Sequence, residues 1–288
     1  MMIRACAKIN LTLDITGKRP DGYHDIETVM QSVSLCDEIR LEKSTSEGIT
    51  LRCSKPFIPT DGRNVAYKAA ESFFSYTGLA NPGIYIKIYK RIPVTAGLAG
   101  GSTDAAGVLA GLNEMFQTEL TLDELCGLAL PIGADVPFCL RGGTMLGKGV
   151  GEKLTPLPTL PDCTLLLIKP TVNVSTKTAY QRYSEQPLTR RPDTAAMVRA
   201  LEEQSLSAVA QNMCNVFEEL VPVEQVRKIK EELTERGAIG VQMSGSGPTT
   251  VGVFENKDRA KAAALELFEK YKEVHVCTPV LIPIQIWE

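Results

Sequence analysis

The segment PVTAGLAGGSTDAAGVLAGLNEMF, Pro93 to Phe116, most limits what this chain can become. Its second part carries Ala105, Val108, Leu109, Leu112 and Phe116 at steps of three, four and seven residues, which put one apolar face on an α-helix. Its first part is rich in glycine, so backbone freedom sits directly in front of a rigid element. Ser102 and Asp104 stand where a helix cap and a first-turn acid are expected. A glycine-rich turn at a helix N-terminus leaves amides unpaired. With the helix dipole they make an anion site that a phosphate approaches closely. The alternative is a tight entry into a core helix with no ligand. Gly100 is expected at a glycine-only backbone angle or against the phosphate itself.

Other phosphate-binding patterns are missing. No GK[ST] follows the glycines. Downstream, GGTMLGKG (Gly142 to Gly149) nearly spells a Walker loop, but Gly149 has no hydroxyl and no helical pattern follows, so it reads as a turn between strands. No GxGxxG leaves a strand and opens a helix. A second glycine turn, MSGSGPTT (Met243 to Thr250), lies between two strand-like runs. It is either a bare hairpin or a second set of amides for the same phosphates.

The 288 residues make two domains the natural expectation, and the Pro-rich Thr155–Pro161 stretch marks the boundary, giving 1–155 and 156–288. Strand patterns run through ACAKINLTLDITG, ETVMQSVSLCDEIRLEK, GITLRC, GIYIKIYKRIPV and CTLLLIKP. Helical spacing marks NVAYKAAESFFSYTG, TAAMVRALEEQS, LSAVAQNMCNVFEEL, VEQVRKIKEELTERG and KDRAKAAALELFEKY. The chain is of the α+β class.

The charge is balanced, 31 basic against 34 acidic side chains, and no long basic run occurs, which argues against nucleic acid and anionic membrane as partners. The longest apolar runs are too short to span a bilayer, and the start lacks a signal-peptide core. Eight cysteines are scattered singly without CxxC, with only His24 and His275 beside them, so a zinc cluster is not expected. They read as small buried hydrophobes in a reducing cytoplasm.

Three places carry candidate charge chemistry. Asp135, in PIGADVPFCLRGG, either caps a helix or is a base in a partly dry pocket. Lys8 stands in an otherwise apolar strand, either to keep an edge soluble or to meet a buried carboxylate. Tyr23 and His24 follow a turn at Pro20-Asp21-Gly22.

Taken together and in order, CAKINLTLDITGKRPDGYHDIETVMQ, PVTAGLAGGSTDAA, GADVPF and MSGSGPTT resemble the galactokinase, homoserine, mevalonate and phosphomevalonate kinase superfamily over nearly the whole chain. The most specific block, KINLTLDITGKRPDGYH from Lys8 to His24, is similar to the branch that phosphorylates the 2-hydroxyl of a cytidine diphosphate-linked polyol in non-mevalonate isoprenoid synthesis.

The resemblance implies an N-terminal domain like the second domain of ribosomal protein S5 and a ferredoxin-like C-terminal domain, with the site between them. It implies ATP as phosphoryl donor and Mg2+, a small-molecule substrate, and a cytoplasmic monomer or homodimer. It maps the ATP phosphate loop onto Pro93, Val94, Thr95, Ala96, Gly97, Leu98, Ala99, Gly100, Gly101, Ser102 and Thr103, with Ser102 near phosphate and magnesium. Asp135 falls on the catalytic base and Lys8 on its charged partner. Asn64, Val65 and Lys90 fall around adenine and ribose. Asn10, Tyr23, His24, Thr176 and Tyr180 fall around the cytidine diphosphate, with the base between Tyr23 and Tyr180.

Two departures stand out: Ala99 replaces a further glycine, and CNVFEEL fits the family segment only in part, leaving Asn215 to Glu218 without a role. Other kinases of the superfamily share the loop and do not need Tyr23 and Tyr180; a non-catalytic nucleotide-binding protein does not need both Lys8 and Asp135.

Overall fold

The computed structural model describes residues 1–183 and 187–288. Two long strands open the chain, β1 (Met2–Lys18) and β2 (His24–Lys43), followed by β3 (Ile49–Cys53), α1 (Val65–Thr77) and β4 (Ile84–Tyr89). Three helices come next, α2 (Gly100–Phe116), α3 (Leu122–Ala129) and α4 (Val136–Arg141), then the hairpin β5 (Thr144–Lys148) and β6 (Lys153–Pro156). The second half begins with β7 (Thr164–Lys169), α5 (Thr176–Tyr183), α6 (Thr194–Glu202) and α7 (Leu206–Asn212). It continues through β8 (Cys214–Asn215), α8 (Phe217–Leu220) and α9 (Glu224–Glu235). It closes with β9 (Gly240–Met243), β10 (Thr250–Phe254), α10 (Lys257–Phe268), β11 (Glu273–Cys277) and β12 (Ile284–Trp287).

The strands form two sheets, one ordered β12-β1-β2-β4-β3 with β5 and β6 attached through β2, the other ordered β11-β7-β10-β9. One face of the first sheet packs under α1 to α4 through Phe73, Phe74, Leu109, Leu112 and Phe138. Gly111 lets α2 come down on that sheet, since a Cβ there would lie 2.4 Å from Ile3 Cδ1. Its other face meets the second sheet, where Ile9, Leu11, Val29 and Val33 join Leu165, Leu167, Val251 and Val253. The intervening residues of β7, Leu166 and Ile168, pack instead on α9 and α10. A strand buried on both faces reads as an unbroken apolar run, which is why TLLLI shows no alternation.

Four expectations are corrected. The helix expected through LSAVAQNMCNVFEEL is broken by β8, which pairs in parallel with β1 at Thr12 and Leu13. Ser102 does not cap α2: the cap position is Ala99, left-handed at φ 56°, with no side-chain bond. Cys6 and Cys36, opposite each other on β1 and β2, are joined as a disulfide rather than standing as separate thiols. Lys8 is not on an edge strand, because β12 and β2 flank β1.

The expected division near Thr155 leaves β8 and β12 in the second segment while their hydrogen bonds run to the first sheet. Among the described residues no helix is long and apolar enough to cross a membrane.

Candidate active site

β1 delivers the first functional side chains through a fault in its own register. Ile3 and Ala5 lie in the helix-side core, whereas Ala7, Ile9 and Leu11 lie in the core between the sheets. The register shift between Cys6 and Lys8 exchanges the two faces. Lys8 and Asn10 follow that exchange, both buried. Lys8 Nζ donates to Asn10 Oδ1 at 2.9 Å and stands 3.6 Å from Asp135 Oδ2. Asn10 in turn donates through Nδ2 to Thr28 Oγ1 at 2.8 Å.

Asp135 occupies the cap position of α4 without using its side chain as a cap. Nor is it sunk among apolar groups as the sequence suggests: its side chain is 39 % exposed and borders a cavity of about 930 Å³. A carboxylate left free of capping, next to an ammonium and open to a cavity, can accept a proton from a bound hydroxyl.

Between β4 and α2 the glycine loop is left-handed at Thr95, Gly97 and Ala99, every second residue, with φ of 50°, 75° and 56°. Such alternation makes an anion-binding concavity of amides. Its carbonyls are turned into the protein. Ala96 O accepts from the Thr249 amide, Gly97 O from Ser244 Oγ at 3.0 Å, and Leu98 O from the Lys8 amide. Ala99 O takes the Thr103 amide, and Gly100 O takes Lys90 Nζ at 3.1 Å. Among the described residues, the amides of Gly97 to Ser102 meet no protein acceptor. The loop thus presents donors outward and acceptors inward.

Gly100 is not at a left-handed angle, and a Cβ there would press on Ile92 and Lys90 behind the loop, 3.0 Å from Ile92 Cγ2. The position requiring glycine is Gly97, whose added Cβ would lie 2.1 Å from the Ser244 carbonyl oxygen.

A second cavity, about 900 Å³, lies on the far side of the loop. It is bordered by Asn64, Val65 and Lys90, and by the loop from Pro93 to Ser102 except Leu98. Asn64 also caps α1, accepting the Ala66 amide at 2.9 Å. Thr95, Gly97, Ala99 and Ser102 border both cavities. Thr103 borders neither; it is buried and donates its hydroxyl to the Cys6 carbonyl.

Among curated proteins, the 4-diphosphocytidyl-2-C-methyl-D-erythritol kinase of Acetivibrio thermocellus is 46 % identical over 90 % of this chain and 91 % of its own length. That of Caldicellulosiruptor saccharolyticus is 46 % identical over 96 % of each. This chain belongs to the 4-diphosphocytidyl-2-C-methyl-D-erythritol kinase family.

Two broader models match it as well: the N-terminal domain of GHMP kinases at residues 64–143 and the GHMP kinase C-terminal domain at 197–273. A solved 4-(cytidine 5'-diphospho)-2C-methyl-D-erythritol kinase superposes with a TM-score of 0.77 at 32 % identity, over 97 % of this chain and 99 % of the other. A homoserine kinase from Cytophaga hutchinsonii shares the fold, with a TM-score of 0.79 at 19 % identity over 100 % of this chain and 97 % of its own. The architecture is therefore α+β with two GHMP kinase domains.

The kinase's larger cavity ends in an aromatic wall. His24 stacks on Tyr180 with ring centroids 5.0 Å apart, and Phe217 meets Tyr180 edge-on, also at 5.0 Å. Burial pushes the Tyr180 phenol up to about 12, with the Asp135 charge adding to the effect. Burial and the nearby Lys18 charge lower the His24 imidazole, and its Nε2 is buried without a partner. Tyr23 borders the cavity but is 66 % exposed, so the ring on Tyr180 is His24 and not Tyr23. Thr176 Oγ1 lies 2.7 Å from Ser246 Oγ at the same cavity.

Sequence reasoning missed the residues that hold the second glycine turn. Asn215 Nδ2 donates to the carbonyls of Met243 (2.7 Å) and Gly245 (2.8 Å), and Glu218 Oε1 accepts the Met243 amide at 2.6 Å. Only the partial fit of CNVFEEL hinted at them. That turn borders the larger cavity through Gly245, Ser246 and Gly247, and does not border the 900 Å³ cavity.

Proposed function

We propose that the chain transfers the γ-phosphoryl group of ATP to the 2-hydroxyl of 4-diphosphocytidyl-2-C-methyl-D-erythritol in non-mevalonate isoprenoid precursor synthesis. The observation that carries this reading is the common border of two cavities at a loop with outward amides, with Lys8 and Asp135 on one side of it. ATP on the 900 Å³ side would lay its triphosphate on the amides of Gly97 to Ser102, with Asn64 and Val65 toward its other end. The cytidine substrate would fill the 930 Å³ side, its base against the His24–Tyr180 wall, its diphosphate near Thr176 and its polyol near Asp135. The fold reading that accompanies this is an S5-like unit over 1–155 and a ferredoxin-like unit over 156–288.

The substrate's 2-hydroxyl gives its proton to Asp135 as its oxygen attacks the γ-phosphorus; the new O–P bond forms, the bond to the β-phosphate oxygen breaks, and ADP leaves. Lys8, 3.6 Å from the carboxylate, offsets the charge gathering there. Alignment of donor and acceptor across the shared loop supplies most of the rest. Among the described residues no group of three or more His, Cys, Asp or Glu side chains is placed to hold a metal. Ser102, which borders both cavities, would hold a Mg2+ that arrives with the nucleotide. Such a Mg2+ would neutralise charge on the phosphates.

The test is ADP release with the cytidine substrate beside mevalonate and homoserine. The expected result is turnover with the first alone. Turnover with either of the others, and none with the first, would replace the acceptor. ATP binding without turnover on any of the three would make this a nucleotide-binding protein.

A further inference from the structure

Behind the nucleotide loop lies a buried ionic cluster that the reaction as described does not use. Lys90, one residue past β4, has a side chain 4 % exposed, and its ammonium is shared between Asp37 of β2 and Asp104 of α2, at 2.7 Å from Asp104 Oδ2. It also donates to the carbonyl of Gly100, the first residue of α2. The two acids are not equivalent. Asp37 uses both oxygens: Oδ1 accepts the amides of Arg91 (2.6 Å) and Ile92 (2.9 Å), and Oδ2 meets the ammonium. Asp104 uses one oxygen, and its Oδ1 is buried without a partner. One ammonium between two carboxylates leaves the negative charge only partly compensated in a nearly buried site, where it is costly.

We propose that Asp37, Lys90 and Asp104 are positioning residues for the nucleotide, clamping the first carbonyl of α2 so that the amides of Gly97 to Ser102 stay turned toward the phosphates. Lys90 then acts on ATP through the loop and not by touching adenine or ribose.

This inference rests on the loop being the ATP site but not on the acceptor, so the test is titration of Mg-ATP into the full chain without acceptor. Lys90→Met should weaken ATP binding on the order of ten- to a hundredfold, the effect of losing one charge-assisted hydrogen bond. The acceptor KM and the kcat at saturating ATP should stay near wild type. Asp104→Ala should weaken ATP binding similarly. Asp104→Asn should restore it, because an amide still offers Lys90 an acceptor oxygen. Wild-type ATP affinity in Lys90→Met, or a loss of thermal stability with no change in ATP affinity, overturns the proposal. If Lys90→Met does not fold, the Asp104 pair decides: rescue by Asn supports the cluster, and equal loss or equal retention in both variants overturns it.

Discussion

The loop at 93–101 and the turn at 244–249 both place glycines in left-handed conformations, yet only the first borders both cavities. They differ in where their polar groups go. The loop gives its carbonyls to the protein, and among the described residues the amides of Gly97 to Ser102 meet no protein acceptor. The turn is bonded internally, Ser244 N to Thr249 O at 2.8 Å and Gly247 N to Ser244 O at 3.0 Å, and externally to Asn215 and Glu218. Glycine content alone therefore does not make a phosphate site; unpaired amides facing a cavity do. The turn is better described as a buttress. Ser244 accepts the Asn10 amide at 3.3 Å and donates to Gly97 O at 3.0 Å, tying β1 to the glycine loop.

If the loop serves the donor and the turn serves the acceptor, the group between them should govern chemistry without governing either binding step. Asp135→Asn keeps the shape and removes the proton acceptor. The kcat is expected to fall on the order of 10²–10⁴, the usual weight of a general base, while ATP affinity by titration stays close to wild type. Retention of most of the turnover would remove Asp135 from this role.

The fit between loop and turn is the next target. Gly97→Val adds a side chain at φ 75° whose Cβ would meet the Ser244 carbonyl at 2.1 Å. Left-handed strain plus overpacking suggests a cost of roughly 2–5 kcal/mol. Thermal unfolding should show a lower melting temperature, and ATP binding should weaken because the amides turn away. Gly245→Ala, on the buttress side, has its Cβ 3.0 Å from Gly97 O at φ 56°. Its cost should be nearer 1–2 kcal/mol, as for a single left-handed alanine, and its effect should fall on the acceptor KM. An ATP defect in Gly245→Ala as large as that in Gly97→Val would erase the distinction drawn between the two.

How much of this was legible follows the same contrast. The helix at 100–116 could be read because its apolar spacing is local, and the period-two alternation of IYIKIYK gave β4 for the same reason. The resemblance named Lys8, Asp135 and Tyr180, and the fold brings all three to the border of one cavity. The buttress could not: Asn215 reaches across 28 residues to Met243, inside a stretch whose local spacing is helical. The face exchange after Cys6 depends on register against β2, which no local pattern records. Asp37 and Lys90 are 53 residues apart, and the pairing of Cys6 with Cys36 exists only once β1 and β2 are aligned. Adjacency of Tyr23 and His24 in sequence says nothing about which ring turns inward; the one that stacks on Tyr180 is His24.

Asn215→Ala removes the two bonds that its amide nitrogen gives the turn and leaves two carbonyls short of a donor. The expected cost is about 1–3 kcal/mol, which lowers the melting temperature by roughly 2–4 °C per kcal/mol in a chain of this size class. Steady-state kinetics should show a raised acceptor KM with the ATP KM little moved. A variant that loses ATP affinity first would place the turn on the nucleotide side after all.

The smallest effect concerns the aromatic wall, which belongs to the acceptor side of the comparison. Tyr180 lies between His24, stacked on it, and Phe217, edge-on to it, so it both packs and presents a ring. A cytosine has a π-face, and stacking a base on an aromatic ring contributes about 1–3 kcal/mol in nucleic-acid complexes. Tyr180→Ala should raise the KM for the cytidine substrate on the order of tenfold, since about 1.4 kcal/mol is a decade, and leave the ATP KM nearly unchanged. Tyr180→Phe keeps the ring, and loses only a phenol that burial already holds neutral with its pKa near 12, so its KM should stay close to wild type. Tyr23→Ala, at an exposed ring, should do less than Tyr180→Ala. If Tyr180→Ala lowers the melting temperature while the cytidine KM holds, the ring is packing for Phe217 and His24 and the base binds elsewhere. If Tyr23→Ala is the more damaging of the two, the loop at 19–23 closes over the substrate and Tyr23 is the stacking ring.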